Sequence, residues 1–147
     1  MKVLNPNYKE RILGHLDRQF FMKHIGFTLD VIEPGRTEGW LDFEQIHEQQ
    51  SGFAHGGLVA TLADITAGFA AVTVVPADHH VVTGEIKVSY LNPGVGDKLL
   101  SKGWVLKPGR KLNFCEAEVW AQKGDQQTLI AKASATMVTI FPEEIRK

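Results

Sequence analysis

A single carboxylate lies inside an otherwise uncharged stretch of 24 residues, GFAHGGLVATLADITAGFAAVTVV, at positions 52–75. The carboxylate is Asp64, and the tripeptide His-Gly-Gly at positions 55–57 precedes it. The apolar run predicts a buried helix from about residue 55 to residue 74, which Pro76 terminates. Because an unpaired buried carboxylate is costly, Asp64 is either a structural residue with hydrogen-bond partners or a general base or nucleophile.

The two glycines at the start of this helix suggest a second chemical function. The first backbone N–H groups of a helix have no partner inside the helix, and the helix dipole is positive at that end. Gly56 and Gly57 let a substrate oxygen approach these N–H groups closely, which favours stabilisation of a developing oxyanion. The alternative is that the glycines only allow a tight entry into the helix. The sequence argues against a phosphate loop, because no Gly-Lys-Ser or Gly-Lys-Thr follows.

The elements around this helix are predicted from periodicity and turn residues. Residues 7–23 have the apolar spacing of a helix, and residues 26–33 and 37–43 alternate as a β-hairpin around Pro34-Gly35. About four strands follow the central helix, separated by turns rich in Gly and Pro. Helices and strands segregate along the chain, so we predict an α+β protein in which a mostly antiparallel sheet covers one long helix.

The central helix has two different faces at 100° per residue. We predict that the large side chains form the stripe that faces the core, namely Leu58, Leu62, Ile65, Phe69 and Val72. Asp64 lies on the opposite side, among small residues that permit another backbone to approach, namely Ala60, Ala63, Ala67, Gly68, Ala70 and Ala71. We therefore predict that a partner subunit, or a continuation of the sheet, covers the small-residue side.

Length, charge and cysteine content restrict the function. The 147 residues fit one domain over residues 1–147, with residues 1–24 as an N-terminal helical extension. A formal net charge of −1 provides no basic surface for nucleic acid and no polybasic patch for a membrane. The single cysteine excludes an internal disulfide framework, and it favours a reducing, cytoplasmic compartment. A charge in the middle of the apolar run argues against a membrane span.

The sequence GFAHGGLVATLAD at 52–64, followed by YLNP at 90–93, resembles the hotdog-fold thioesterases. The PaaI-like branch, named for phenylacetate degradation, is the most similar, and the resemblance covers roughly residues 25–140. It implies a hotdog fold, in which an antiparallel sheet wraps a long helix, and hydrolysis of acyl-CoA thioesters. It also implies sites at the interface of a homodimer, which can pair further as a dimer of dimers. No cofactor is implied beyond the coenzyme A that the substrate carries.

The resemblance assigns roles to individual residues. Asp64 corresponds to the catalytic acid, which activates water or attacks the thioester itself. Gly56 corresponds to the glycine whose N–H polarises the thioester carbonyl, and Gln49 to an Asn or Gln on the preceding loop. Asn is the commoner residue there, so Gln49 is a departure. Thr83 corresponds to a Ser or Thr whose hydroxyl holds the water near the acid.

Five further residues are predicted to contact the substrate. His55 either caps the loop or contacts the thioester region, and Gly57 shares the helix N-terminus with Gly56. Lys107, Arg110 and Lys111 flank the KPGRK turn, where their charges suit the phosphates of coenzyme A. The alternative for these three is an ordinary charged hairpin tip.

Thr83 has a structural alternative as well. In a regular strand it alternates with Glu85, Lys87 and Ser89 on one face, which predicts a surface threonine.

Helix geometry predicts that one site needs two chains. Gly56 and Asp64 lie about 12 Å apart along the axis if both belong to one helix, at 1.5 Å per residue. One substrate carbon cannot meet both residues of the same subunit. We therefore predict that Gly56 and Gln49 come from one chain, and that Asp64 and Thr83 come from the other.

Two other functions remain open at this point. A hotdog hydratase or dehydratase uses a different arrangement of His and Asp, and a non-catalytic acyl-CoA binder would lack the carboxylate or carry a DNA-binding segment. No metal site is predicted, because Asp78, His79 and His80 lack a further spaced ligand. Cys115 alternates with apolar residues and is predicted to be buried and inert.

Overall fold

The computed structural model describes residues 1–145 and shows a sheet of six strands around one long helix. The helices are α1 Tyr8–Leu16, α2 Phe20–Ile25, α3 Gly56–Val72 and α4 Pro142–Ile145, with a short 3-10 turn at Gln45–His47. The strands are β1 Thr28–Glu33, β2 Arg36–Asp42, β3 His80–Tyr90, β4 Lys98–Lys107, β5 Leu112–Lys123 and β6 Gln126–Ile140. Their order is β1-β2-β4-β5-β6-β3, and each neighbouring pair is antiparallel. The predicted α+β class and hotdog architecture are confirmed.

Helix α3 packs on the sheet through its small residues. The helix residues buried most completely include Leu62, Ala63, Ala67, Ala70 and Ala71. At Gly103 on β4, an added Cβ would lie 2.3 Å from the backbone carbon of Thr66, so the helix and strand backbones are in direct contact. The buried alanines of α3 suit this close packing, because larger side chains at these positions would push the helix away from β4.

This packing corrects the predicted assignment of the helix faces. Phe69 and Val72 are buried as predicted, whereas Leu58 and Ile65 are only half-buried at the margins of the core. The face left open around Asp64 still carries small residues, namely Gly57, Ala60, Thr61 and Gly68. Of the small residues predicted beside Asp64, only Ala60 and Gly68 lie on this face, and the prediction is wrong for Ala63, Ala67, Ala70 and Ala71, which are buried against the sheet. Periodicity locates a stripe without showing which side the sheet covers.

Buried hydroxyl groups fix the position of α3 on the sheet. Thr66 Oγ1 and Ser101 Oγ are 2.8 Å apart, and the Ser101 hydroxyl also lies 2.9 Å from the carbonyl oxygen of Leu62. The Thr37 hydroxyl donates to the carbonyl oxygen of Thr66 at 2.7 Å. Because buried hydroxyls must keep their partners, this network resists sliding of α3 along β2 and β4. It thereby holds Asp64, two residues before Thr66, at a fixed height over the sheet.

The N-terminal residues form two helices instead of the single helix predicted for 7–23. Ile12 is fully buried, and Ile25 is buried at the end of α2. In one straight helix Ile25 would point about 140° away from Ile12, so both could not enter the same core. The break at residues 17–19 redirects α2 and leaves Phe20 73% exposed, although Phe20 belonged to the apolar spacing that predicted the helix.

Among residues 1–145, every helix falls short of the length and apolarity that crossing a membrane demands.

Strand β3 forms one edge of the sheet. It pairs with β6 on one side, and no described strand pairs with its other side over its eleven residues. Val82 and Tyr90 are exposed along this strand. An exposed edge of this length offers unpaired backbone groups to a strand of another chain.

Candidate active site

Asp64 and Thr83 meet between α3 and β3. The Thr83 hydroxyl donates a hydrogen bond to Asp64 Oδ1 at 2.5 Å, and it also lies 3.6 Å from the sulfur of Met137. Within residues 1–145, Asp64 Oδ2 accepts no hydrogen bond, and the side chain is half-buried. The carboxylate therefore has one oxygen held by the protein and one available to a water molecule or a thioester carbon.

A β-bulge at Gly84 turns Thr83 toward the helix. The register of β3 on β6 shifts between Thr83 and Glu85. Because side chains alternate with a period of two, one extra residue moves Thr83 to the opposite face from Glu85. Thr83 thus shares the helix side with Ile86, which packs on the core, whereas Glu85 borders an outer hollow with Phe114. The prediction that Thr83 alternates with Glu85 on one surface face is wrong for this reason.

A cleft of about 340 Å³ opens beside the Asp64–Thr83 pair. Its apolar lining includes Ile65, Phe69, Val72 and Met137. Arg11, His15 and Gln19 from the N-terminal extension form a polar wall. Sequence reasoning missed this wall, although the spacing of four between Arg11 and His15 was a signal that these two share one face of α1.

Arg11 anchors the polar wall to the rest of the chain. Its guanidinium donates to the carbonyl oxygen of Pro76 at 3.0 Å and to that of His79. Burial lowers the pKa of Arg11. Burial, followed by the positive charges of Arg11 and Arg18, lowers the pKa of His15. The His15 imidazole is therefore neutral at pH 7 and can donate and accept hydrogen bonds.

The N-terminus of α3 offers a free N–H group at Gly56. His55 is the N-cap, and its Nδ1 accepts a hydrogen bond from the Gly57 N–H at 2.9 Å. No acceptor for the Gly56 N–H is found in the part of the chain that the structure describes. Gly56 thus keeps the donor that the sequence predicted for an oxyanion, whereas the Gly57 N–H is already used by His55.

Gln49 lies at the same end of the helix. Its backbone N–H donates to the carbonyl oxygen of Phe53 at 2.8 Å, and its side-chain oxygen accepts from the Ser51 N–H. It borders a second cleft of about 340 Å³, which Tyr90 also lines. Since the amide oxygen is engaged locally, the amide nitrogen of Gln49 is the group left for a substrate carbonyl.

The structure separates the predicted residues into two groups. Gly56 and Gln49 lie at the start of α3, and Tyr90 joins them through a hydrogen bond to the Gly56 carbonyl oxygen at 2.7 Å. Asp64 lies about 12 Å further along the axis of α3, since it follows Gly56 by eight residues at 1.5 Å each, and Thr83 on β3 is bonded to it. Within one chain, the two groups are therefore too far apart to meet the same substrate carbon.

The basic residues of the KPGRK turn belong to neither of these two groups. Lys107 ends β4, and Arg110 borders a cavity of about 660 Å³ together with Lys2. Lys111 Nζ lies 2.6 Å from both carboxylate oxygens of Glu144. Because Lys111 is engaged in this ion pair, Lys107 and Arg110 are the better candidates for a coenzyme A phosphate.

Residues 1–145 offer neither a cluster of metal-ligating side chains nor an exposed thiol. No group of three or more His, Cys, Asp or Glu residues there could hold a metal ion. Asp78 is paired with its neighbour His79 at 2.7 Å between Oδ1 and Nδ1. Cys115 is 2% exposed, and burial raises the pKa of its thiol to about 12. The thiolate, which is the nucleophilic form, is therefore negligible near neutral pH.

An antiparallel sheet around a long helix, with a carboxylate inside that helix and a free N–H at its start, defines the thioesterase class of this fold. Residues 51–128 match the thioesterase superfamily, and the chain belongs to that superfamily. A putative esterase of Saccharolobus solfataricus is 32% identical over 74% of this chain and 76% of its own length. The medium/long-chain acyl-CoA thioesterase YigI of Escherichia coli is 27% identical over 56% of this chain and 59% of its own length.

Solved structures have the same architecture. A thioesterase family protein from Silicibacter pomeroyi superposes with a TM-score of 0.89 and 32% identity, over 91% of this chain and 98% of that one. The PaaI protein of the Escherichia coli phenylacetic acid degradation operon shares the fold, with a TM-score of 0.83 and 19% identity over 93% and 96% of the two chains. The resemblance to hotdog thioesterases that the sequence motif carried is thus confirmed.

Proposed function

We propose that this protein hydrolyses acyl-CoA thioesters to a free acid and coenzyme A. The observation that carries the proposal is the hydrogen bond from Thr83 to Asp64, which orients a carboxylate beside an open cleft. Membership of the thioesterase superfamily supports the thioester as the reacting group. Relatives named acyl-CoA thioesterases, YigI and acyl-coenzyme A thioesterase 13 of Pongo abelii, support coenzyme A as the thiol portion.

In the proposed reaction, Asp64 acts on the thioester through its free oxygen. Thr83 holds Oδ1, so Oδ2 takes the proton from a water molecule as the water attacks the thioester carbon. General base assistance of this kind contributes about 10²–10⁴-fold. The alternative role is direct attack by Asp64, which forms a mixed anhydride that water then cleaves. A single turnover in H₂¹⁸O distinguishes them, because only the anhydride route can place the label in Asp64.

Charge that develops on the thioester oxygen is stabilised by Gly56 in this proposal. Its N–H is fixed by the helix and needs no rearrangement during the reaction, and one such donor contributes roughly 3–4 kcal/mol. The amide nitrogen of Gln49 acts as a second donor from the loop before the helix. Lys107 and Arg110 bind the phosphates of coenzyme A, and Lys111 can join them only by leaving its ion pair with Glu144.

We infer that each site is shared between two copies of the chain. A two-fold axis would pair the free edges of β3 antiparallel to one another. If the axis passes through residue 85, the middle of β3, Tyr90 of one copy lies opposite His80 of the other, three residues from Thr83. This pairing brings the start of α3 in one copy toward Asp64 of the other. Further pairing into a dimer of dimers is part of the same proposal.

The proposal includes no cofactor beyond the coenzyme A of the substrate, no nucleic acid or membrane partner, and a cytoplasmic location. A net charge of −1 supports the absence of a nucleic-acid or membrane partner, and the single buried cysteine supports the cytoplasmic location. Activity that survives exhaustive treatment with a chelator would support the absence of a metal from the reaction.

The test measures release of free coenzyme A from a panel of acyl-CoAs, with a thiol reagent as the detector. We expect Asp64→Asn to lower kcat by about 100-fold or more, since it removes the base and keeps the shape of the side chain. Asp30→Asn is the matched control, because Asp30 is an exposed residue on β1. Full activity of Asp64→Asn would contradict the assignment of Asp64. Absence of turnover across the panel would favour a non-catalytic acyl-CoA binder.

A further inference from the structure

The peptide unit between Gly56 and Gly57 is held from both sides. Its N–H, which belongs to Gly57, donates to His55 Nδ1 at 2.9 Å, and its carbonyl oxygen, which belongs to Gly56, accepts from the Tyr90 hydroxyl at 2.7 Å. A peptide unit is planar, so two hydrogen bonds at opposite ends fix its orientation. One partner precedes α3 in sequence, and the other ends β3.

We call these two hydrogen bonds, from the Gly57 N–H to His55 and from the Tyr90 hydroxyl to the Gly56 carbonyl oxygen, the clamp. The clamp acts on the first turn of α3, where the backbone is least restricted. Two consecutive glycines have the widest choice of backbone angles in the chain, and the first turn of a helix lacks its full set of internal hydrogen bonds. The Gly56 N–H belongs to the preceding His55–Gly56 peptide, whose carbonyl oxygen accepts from the Val59 N–H at 3.1 Å. The two peptide units meet at the Gly56 Cα, so holding the second unit restricts the φ and ψ angles of this glycine and with them the direction of its N–H. Three atoms of the Tyr90 side chain lie 3.5 Å from the position of a Cβ at Gly56, so Tyr90 also packs alongside this turn.

We propose that Tyr90 is a positioning residue for thioester hydrolysis, which acts through the Gly56–Gly57 peptide. Its hydroxyl and the His55 imidazole hold that peptide so that the Gly56 N–H points at the thioester oxygen before the reaction begins. A donor that is already oriented stabilises an oxyanion without the cost of reorganisation. The inference rests on the proposed function and assigns a role to a residue that the motif does not include in the reaction.

Tyr90 also connects this donor to the sheet edge. The residue ends the unpaired strand β3 and is 55% exposed in the single chain. A second copy paired along β3 would restrict the ring, and the restriction would pass to the Gly56 N–H through the hydrogen bond at 2.7 Å. Assembly and orientation of the donor are thereby coupled through one side chain.

The test replaces Tyr90 by Phe, which keeps the ring and removes the hydroxyl. We expect kcat to fall about 10-fold, with KM changed by less than about two-fold, because the oxyanion donor acts mainly in the transition state. The thermal midpoint and the elution volume should stay at their wild-type values. Tyr8→Phe is the matched control, since Tyr8 is the other of the two tyrosines in the chain and packs against the core.

A second pair of variants examines the opposite end of the clamp. His55→Asn keeps an acceptor suited to an N-cap, whereas His55→Leu removes it. We expect the His55→Asn variant to retain most of the wild-type kcat and the His55→Leu variant to lose most of it. Combined with Tyr90→Phe, His55→Leu should cost less than the product of the two single losses, because both variants free the same peptide.

An amide NMR experiment tests the clamp without turnover. In protein labelled with ¹⁵N-glycine, we expect Tyr90→Phe to shift and broaden the signals of Gly56 and Gly57, while the Gly103 signal on β4 stays unchanged.

The kinetic outcomes separate the role of Tyr90 from the proposed function. If Tyr90→Phe keeps the wild-type kcat while Asp64→Asn loses activity, the role of Tyr90 is overturned and the proposed function is intact. A rise in KM at constant kcat, or a fall in the thermal midpoint that accounts for the lost activity, would overturn it as well.

Discussion

The Thr83 hydroxyl donates a hydrogen bond to Asp64 Oδ1 at 2.5 Å, and it does so because β3 carries a bulge at the next residue. Without the extra residue, Thr83 would share a face with Glu85 on the outside of the sheet. The bulge thus converts a surface position of an edge strand into a partner of the only carboxylate on α3. Orientation of that carboxylate is a property of the sheet as much as of the helix.

The first prediction concerns this hydrogen bond. Thr83→Val keeps the shape of the side chain and removes the donor, so we expect kcat to fall about 10-fold, consistent with loss of a hydrogen bond to a charged group. Thr83→Ser keeps the hydroxyl and should retain most of the activity. Steady-state assays on one acyl-CoA measure kcat for both variants. Equal activity of the Val and Ser variants would contradict a role for the Thr83 hydroxyl.

The second prediction concerns the oxyanion donor. Proline at the first helical position removes the N–H and fits the helix, and the extended conformation of His55 suits a residue before proline. We therefore expect Gly56→Pro to lower kcat by about 10²–10³-fold while the fold persists. Gly56→Ala keeps the N–H, and its Cβ would make ordinary contact with Tyr90 at 3.5 Å. Similar kcat values for the Pro and Ala variants would remove Gly56 from the mechanism.

The third prediction concerns the sharing of a site between two copies. Asp64→Asn and Gly56→Pro each inactivate both sites of a dimer, but a hybrid dimer contains one site with both defects and one with neither. If subunits mix randomly, we expect an equal mixture to recover about a quarter of wild-type activity. The measurement follows co-expression or refolding of the two variants. A mixture as inactive as its components would place Asp64 and Gly56 in the same subunit's site.

The fourth prediction concerns the contact between α3 and β4. A Cβ at Gly103 would lie 2.3 Å from the Thr66 backbone carbon, so we expect Gly103→Ala to reduce the free energy of unfolding by about 1–3 kcal/mol. Gly14→Ala is the matched control, because nothing lies within 4 Å of its Cβ position and alanine favours α1 by about 0.5–1 kcal/mol. Denaturant unfolding at one protein concentration measures both. A Gly103→Ala variant as stable as the wild type would show that helix and strand can separate at little cost.

The fifth prediction concerns Cys115. Burial raises the pKa of its thiol to about 12, so the reactive thiolate is scarce at pH 8, and it becomes more abundant only as the pH approaches that value. We expect the native protein to resist alkylation by iodoacetamide, with modification at least about 100-fold slower than in the unfolded chain. Mass spectrometry of intact protein follows the reaction. Rapid labelling of the folded protein would show that β5 opens locally around Cys115.

Much of the architecture was predictable from the sequence. The limits of α3, the hairpin around Gly35 and the antiparallel strands follow from turn residues and alternation, which depend on neighbours within a few positions. The motif around Asp64 carried the family resemblance, and helix geometry alone indicated that Gly56 and Asp64 are too far apart for one substrate carbon. Those inferences succeed because they use only local backbone rules.

Tertiary structure decided the rest. The sheet covers the alanine side of α3 because Gly103 admits the helix backbone directly onto β4, a contact that no periodicity in the helix reveals. The bulge at Gly84 inverts the face of Thr83, and the break between α1 and α2 lets Ile12 and Ile25 enter one core while His15 and Gln19 reach the cleft. Each of these features depends on contacts between residues that are distant in sequence and adjacent in space. Local sequence patterns do not specify such contacts, and only the tertiary structure shows them.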